Sequence, residues 1–526
     1  MKGTFWQITD IHWDHQYSTD GDRAKMCHKN YNPTIASHIG VYGDYLCDSP
    51  WPLVRSAIQA MVEIKSNPDF VLWTGDNVPH TNDPEPDYSV IFATIANITT
   101  ELKTAFPDTI PILPVLGNHD AYPKDDYPVA KAEFYGQYLT KGGWSLVLPK
   151  DAQEEFKQGG YYGYDLPSGV TVLVVNTNLY YAFNQLGVGI ADPCGQFAWL
   201  RSKLQQAKNK DSKVIVTAHA PPGYFERFAV VPFFNASYNT AYVNLLTEFG
   251  EVIMAQIYGH EHTDTFRLFS GPSARQQSVG FLAPSITPWQ AAAKFGGTAI
   301  NPSLRLYLYN KRTLLDYNQY HLNLTKLDYT VLKRELVKDS GAKYFIDSSN
   351  VTEETVPTWE LYYQASKVYN VTALDYNNMA KLYEKLKADN SLFQKYYLMN
   401  SAGYNHGPCD PWCKMNQLCA IANIHVADLM HCMTQSDVHD SIKEGPYKNI
   451  NFQGKSSFHL YPNGSSNFLI ALVALSMILM VVLAITLAIM LVLLVVRKKQ
   501  PLQAQRILPI TDLTLNHRGK KYSQLV

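Results

Sequence analysis

The chain is 526 residues long, 46% hydrophobic, and carries a formal net charge of −1. That is enough apolar material for one large core and a smaller second unit. The near-neutral charge excludes a global basic field of the kind that holds a nucleic-acid duplex.

Taken in order, Thr4 to Thr9 reads as a strand and ends in Asp10-Ile11-His12. Alternate side chains of an extended chain face the same way, which puts Asp10 and His12 together. Residues 13–50 are loop-rich and contain Cys27 and Cys47. A helix follows, marked by Leu53, Ile58, Met61 and Val62. Phe70-Val71-Leu72-Trp73 is a second buried strand running into Thr74-Gly75-Asp76, with His80 in the Pro-containing loop beyond. Ile112 to Leu116 is a third, and it opens into Gly117-Asn118-His119-Asp120. An amide oxygen there suits a hard or borderline divalent metal. The adjacent imidazole can shuttle a proton, and the carboxylate after it can fix the imidazole's tautomer.

Residues 121–160 read as helix and loop, and Val170 to Val175 is an apolar run ending in Asn176-Thr177-Asn178. A helix over 196–208 precedes the run Val214 to Ala218, which ends in His219. Ile253 to Tyr258 ends in Gly259-His260-Glu261-His262, with both imidazoles on one side of an extended turn and Glu261 pointing away. Further strands are expected at 304–309 and 314–320. The pattern then turns helical: Met379, Leu382, Tyr383 and Leu386 recur at helical spacing, and Asn390-Ser391 can cap the next helix. Apolar runs separated by helices, with polar residues at their ends, predict an α/β fold with its chemistry at the strand ends.

Seven cysteines are present, four of them (Cys409, Cys413, Cys419 and Cys432) close together. They suggest a local disulfide cluster in an oxidising compartment, and four cysteines allow three pairings. Six Asn-x-Ser/Thr sequons (Asn97, Asn235, Asn323, Asn350, Asn370 and Asn463) agree with secretion. Residues 468–496 carry no charge over 29 positions, long enough to span a bilayer. The 30-residue tail at 497–526 holds seven Lys/Arg against one Asp. The positive-inside rule puts that tail in the cytosol and residues 1–467 outside, a type I arrangement at the plasma membrane or an endolysosomal membrane. This topology needs an N-terminal signal, and Met1-Lys2-Gly3 leads straight into a strand, so the signal peptide is expected to be missing from this chain. The expected division is 1–324 catalytic, 325–445 helical and disulfide-stapled, 446–467 stalk, 468–496 transmembrane helix and 497–526 cytoplasmic tail.

Collected, the metal-ligand candidates are Asp10, His12, Asp76, Asn118, His219, His260 and His262. Seven N and O donors are what two metals would need if one carboxylate bridges them. The donor mix points to Zn²⁺ first, then Mn²⁺ or Fe. The blocks D-x-H, G-D, G-N-H-D, H and G-H-x-H, in this order, resemble the calcineurin-like metallophosphoesterase superfamily. Trp73-Thr74-Gly75-Asp76 with His80, Asn176 to Tyr181, Leu46-Cys47-Asp48-Ser49-Pro50 and the late cysteines are similar to the acid sphingomyelinase-like phosphodiesterases.

The resemblance implies a four-layer α-β-β-α sandwich, with a helical disulfide-stapled subdomain after it. It implies one zinc on Asp10, His12 and His262, the other on Asn118, His219 and His260, and Asp76 bridging. His119 then matches the leaving-group acid and His80 the residue that binds or orients the phosphate. It also implies the pairs Cys27–Cys47, Cys409–Cys413 and Cys419–Cys432, leaving Cys194 free. The expected activity is hydrolysis of phosphodiester or pyrophosphate bonds in nucleotides or phosphocholine compounds. Sphingomyelin hydrolysis and a cell-surface interaction role are the alternatives. No saposin-like segment precedes the catalytic part, which favours soluble substrates over bilayer lipid. Tyr180 and Tyr181 are expected either to stack on a base or to pack around their strand end.

Overall fold

In the computed structural model the described residues are 2–29, 39–81, 85–227, 231–290, 298–327 and 357–435. They belong to one compact unit, Met1–Lys448. The expected stalk, membrane span and tail lie outside them. Among the described residues no helix is long and apolar enough to cross a membrane.

Two six-stranded sheets carry the core. The first runs Glu360–Gln364, Leu314–His321, Ser303–Asn310, Lys2–Ile8, Phe70–Trp73 and Ile112–Pro114. The second runs Thr265–Ser270, Gln277–Leu282, Ile253–Tyr258, Val214–Thr217, Thr171–Val174 and Tyr162–Asp165. Each sheet has a parallel run: Lys2–Ile8, Phe70–Trp73 and Ile112–Pro114 along one side of the first, and Thr171–Val174, Val214–Thr217 and Ile253–Tyr258 within the second. These are the continuous apolar runs of the sequence, buried on both faces as parallel strands must be.

The sheets face each other. Gln7 of the first donates from Nε2 to the Tyr258 carbonyl of the second at 2.9 Å, and Phe281 packs edge-on against Tyr317. The helix Trp51–Lys65 covers the first sheet, where Trp6 donates to the Lys65 carbonyl. Helices Gln196–Asn209 and Ala236–Glu248 bury Leu200, Leu204, Tyr242 and Leu246 against the second.

Three strands escape the apolar pattern. Tyr162–Asp165 is an edge strand, Tyr-Gly-Tyr-Asp, with no apolar run. Thr265–Ser270 carries the fully buried Arg267 in its middle. Glu360–Gln364 pairs antiparallel with Leu314–His321, so a segment expected to be helical extends the first sheet. Beyond it the chain is helical: Ala365–Tyr369, Tyr376–Ala388, Asn390–Asn400, Pro411–Ala422 and Val426–Gln435. The cap of Asn390–Asn400 is Asp389 rather than Asn390 or Ser391, because its carboxylate accepts from the Ser391 and Leu392 N–H groups. The disulfides are Cys27–Cys47, Cys409–Cys413 and Cys419–Cys432, and Cys194 is free.

Candidate metal centre

The ends of the parallel strands of both sheets meet. Asp10 and His12 follow Lys2–Ile8, Asp76 follows Phe70–Trp73, and Asn118 follows Ile112–Pro114. His219 follows Val214–Thr217, and His260 and His262 follow Ile253–Tyr258. The loops are zipped by backbone hydrogen bonds, Asp10 N–H to Gly75 O at 3.0 Å and His12 N–H to Asp76 O at 3.1 Å. Two glycines permit the approach. A Cβ on Gly117 would fall 2.1 Å from the Asp76 nitrogen, and one on Gly259 would fall 2.2 Å from Thr9 Oγ1.

The candidate ligand side chains converge, but not through an extended backbone. Asp10, His12, Asp76, His260 and His262 all have positive φ, between 44° and 73°. Left-handed backbone in non-glycine residues costs energy and persists where the surroundings over-determine it. The strand alternation expected for Asp10-Ile11-His12 and the extended turn expected for His260-Glu261-His262 are therefore both replaced by left-handed kinks, which turn the side chains inward.

Two buried triads result: Asp10, His12 and His262, and Asp76, His219 and His260. His262 Nε2 lies 3.4 Å from Asp10 Oδ1 and 3.2 Å from His12 Nε2. His219 Nε2 lies 3.1 Å from Asp76 Oδ2, 3.1 Å from Asn118 Oδ1 and 3.1 Å from His260 Nδ1. Asp76 Oδ2 is also 3.6 Å from His12 Nε2, which places it between the triads.

The partners behind the ligands aim them. His12 Nδ1 meets the Val78 carbonyl at 2.7 Å and His219 Nδ1 meets the Thr74 carbonyl at 2.8 Å. A carbonyl can only accept, so each Nδ1 carries hydrogen and each Nε2 lone pair is available to a cation. Asn118 Nδ2 donates to Asp125 Oδ1 at 2.8 Å, which turns its amide oxygen toward His219.

Asp120 does not orient His119, as the adjacency in sequence suggested. Its carboxylate accepts from the backbone of Asp76, Asn77 and Gly117, clasping two site loops together. Burial, and then the nearby Asp76 charge, raise Asp120 to about 7.

The electrostatics suit a cation. Burial alone would raise Asp10, but His262, His219 and the Thr9 hydroxyl outweigh it and hold the carboxyl at about 2. Burial alone would lower His219, but Asp76 and Asp10 outweigh it and lift the imidazole to about 9. That potential favours positive charge at His219 Nε2, which a proton or a metal can supply. The donor set, four imidazoles, two carboxylates and one amide oxygen, fits two borderline divalent ions.

His80 and His119 stand at the rim. His80 stacks on His12 with ring centroids 3.8 Å apart, and Trp289 covers its vicinity at 4.1 Å. Its Nδ1 bonds Asp48 Oδ1 at 3.0 Å and its backbone N–H bonds Asp48 Oδ2 at 2.7 Å. Thr287 Oγ1 steadies Asp48 at 2.9 Å. Asp48, Asp125 and Trp289 carried no role in the sequence reading. Asp48 sits within a block, Leu46 to Pro50, noted there only for its resemblance. His119 is half-buried, and its N–H donates to Asp76 Oδ1 at 2.8 Å. Burial and the charge of His80 push the His119 imidazole well below the ordinary range, so its protonation calls for an anion nearby.

Tyr180 is fully buried, stacked on Phe197 at 4.5 Å, and so packs rather than meeting a ligand. Tyr181 lies edge-on to His260 at 5.2 Å.

A sandwich of this topology with two His/Asp clusters at its strand ends defines a calcineurin-like phosphoesterase, and residues 3–264 match that family. Residues 326–439 match the acid sphingomyelin phosphodiesterase C-terminal region. The mouse protein "acid sphingomyelinase-like phosphodiesterase 3b" is 33% identical over 82% of this chain and 90% of its own length. "Sphingomyelinase phosphodiesterase C" of Dictyostelium discoideum is 34% identical over 82% of this chain and 93% of its own. The human "cyclic GMP-AMP phosphodiesterase SMPDL3A" is 30% identical over 82% of this chain and 90% of its own. The chain belongs to the acid sphingomyelinase-like phosphodiesterases and is a phosphodiester hydrolase.

Proposed function

We propose that this chain is a di-zinc phosphodiesterase of soluble nucleotides and related phosphodiesters. Asp10, His12 and His262 would hold one ion and Asn118, His219 and His260 the other, with Asp76 placed to serve both. The observation that supports this most is the position of Asp76 Oδ2, within 3.1 Å of His219 Nε2 and 3.6 Å of His12 Nε2. Zinc suits an imidazole-rich, carboxylate-containing set. When bound, two such ions lower the pKa of water and neutralise phosphoryl oxygens.

The protein's own side chains do the rest. His80, held by Asp48, orients a phosphoryl oxygen at the rim. His119, once an anionic phosphate raises its proton affinity, donates a proton to the departing oxygen. Lys124 and His119 line one cleft, together with Glu85 and Thr81. Lys124 can meet a further phosphate there, with Glu85 balancing its charge. Lifting the two hydrocarbon chains of sphingomyelin out of a bilayer would cost about 0.8 kcal/mol per CH₂ exposed, which supports soluble nucleotides. We place the catalytic part outside the cytosol, on a membrane-anchored chain, from the charge asymmetry around residues 468–496.

One observation favours the second reading, sphingomyelin. Phe183, Leu186, Val188 and Ile190 are 42%, 50%, 58% and 38% exposed, and Phe183 packs on Tyr181 beside His260. An apolar rim of this kind suits a lipid. The deciding experiment measures kcat/KM of the purified protein on cyclic GMP-AMP, ATP, CDP-choline and sphingomyelin liposomes. Nucleotides are expected to lead, and a tenfold lead for sphingomyelin overturns the first reading.

A further inference from the structure

Behind the His260-Glu261-His262 turn lies a buried polar chain that the reaction does not use. Glu261, between the two imidazoles, points away from them. Its Oε2 accepts from Arg267 Nη2 at 2.6 Å and its Oε1 accepts the Glu226 backbone N–H at 2.6 Å. Arg267 is fully buried, and its Nη1 also reaches Glu226 Oε2 at 3.4 Å. Two buried carboxylates thus face one guanidinium, and the second carboxylate needs other donors.

Those donors come from the helical C-terminal part. Glu226 Oε1 accepts from Thr263 Oγ1 at 3.0 Å and from Asn400 Nδ2. Asn400 is the last residue of helix Asn390–Asn400 and is fully buried. Every arm of it is used on this side of the site. Its Nδ2 also donates to the Asp264 carbonyl at 3.1 Å, its own carbonyl accepts the Asp264 N–H at 2.8 Å, and its Oδ1 accepts from Arg227 at 3.0 Å. Asn400 therefore grips the chain on both sides of the turn, at Glu226–Arg227 and at Asp264, two residues past His262.

We propose that Asn400 is a positioning residue for the metal ligands. It holds Glu226 and the Asp264 backbone, these hold Glu261 and the turn, and the turn keeps His260 and His262 in the left-handed backbone that aims them inward. The C-terminal helical part thereby tunes how firmly the site keeps its metal. The inference rests on the two-metal reading above. The physical ground is twofold. Left-handed backbone at two adjacent ligands, φ 73° and 62°, survives only if its surroundings over-determine it. Partners behind metal ligands typically govern metal affinity by 10–100-fold.

The test uses the full chain loaded with zinc. Asn400→Asp keeps the shape, removes both N–H donors and sets a carboxylate against Glu226. Glu226→Gln is the second variant, should the first not fold. Metal content after gel filtration and the rate of zinc loss to a chelator are measured, alongside the melting temperature of each metal-free protein. Leu382→Ala, in the buried core of helix Tyr376–Ala388, serves as the control for plain destabilisation.

The expected result is zinc loss roughly 10–100-fold faster in Asn400→Asp or Glu226→Gln. Leu382→Ala should melt lower but release zinc at the wild-type rate. Wild-type zinc retention in the folded Asn400 or Glu226 variants overturns the positioning role alone. So does equal acceleration in Leu382→Ala. A wild-type chain that binds no metal overturns both the role and the two-metal reading.

Discussion

Asp48 holds His80 at two points, accepting its Nδ1 at 3.0 Å on one oxygen and its backbone N–H at 2.7 Å on the other. The carboxylate is completely buried and the imidazole faces the metal centre beside His12. Asp48→Asn keeps the shape but makes the amide orientation compete between the two donors. It should lower kcat about 10–100-fold, by analogy with the loss of a carboxylate behind a metal-ligating imidazole. Steady-state kinetics at fixed zinc, with metal content checked, measures this. Unchanged kcat at full metal content would remove Asp48 from the site.

Asp76 Oδ2 lies 3.1 Å from His219 Nε2 and 3.6 Å from His12 Nε2, one imidazole of each triad, whereas Asp10 comes no nearer to His219 than 4.0 Å. Asp76→Asn should therefore cost both ions, whereas His262→Ala should cost mainly one. Elemental analysis of chelator-free preparations reads the stoichiometry directly. Activity of Asp76→Asn should fall more than about 100-fold, beyond what an outer partner contributes. Full occupancy of both sites in Asp76→Asn contradicts the bridging arrangement.

Gly117 sits where a methyl group would meet the Asp76 nitrogen and Oδ1 at 2.1 Å. Backbone cannot yield as a flexible side chain does, so Gly117→Ala should push the Asn118 and Asp76 loops apart. Overpacking of this kind costs about 1–3 kcal/mol. Urea denaturation and zinc content should fall together. A variant as stable as wild type would show that the loops can part without strain.

His406 gives a pH dependence distant from the metal ligands. Burial, assisted by Arg227, pulls its imidazole down from 6.5 to about 4. Between those values the unfolded chain binds the extra proton and the folded one does not. The contribution to stability is therefore complete above pH 6.5 and is lost as pH falls through about 4. Chemical denaturation at pH 7 and pH 5 should show stability falling on acidification. His406→Asn should flatten that slope, and an unaltered slope in the variant excludes His406 as a source.

All seven candidate metal-ligand residues were legible because each follows a strand long and apolar enough to be recognised in isolation. Burial on both faces makes such a strand a continuous hydrophobic run, and a polar residue at its end breaks the run visibly. Two edge strands were not legible: Tyr162–Asp165 and Glu360–Gln364 have too few apolar residues to set a period, unlike the apolar edge strand Ile112–Pro114. The buried Arg267 hid another, since a lone charge in a strand reads as solvent-facing until its partners Glu226 and Glu261 are known.

By itself, then, the sequence determined the order of the chemistry-bearing residues, the apolar segments that carry them and the helical character of the C-terminal part. The tertiary structure alone decided how those residues point and what holds them. Local patterning reports which face of an element is buried. It carries no information about a backbone turned left-handed at His12 or His262, because that strain is sustained by neighbours distant in the chain. Nor does spacing reveal that Asp48 belongs to His80, or that Asn400 reaches Glu226 across 174 residues. Such pairs exist only once two sheets have closed on each other, and the physics that selects them, satisfaction of buried donors and acceptors, acts only in that packed state.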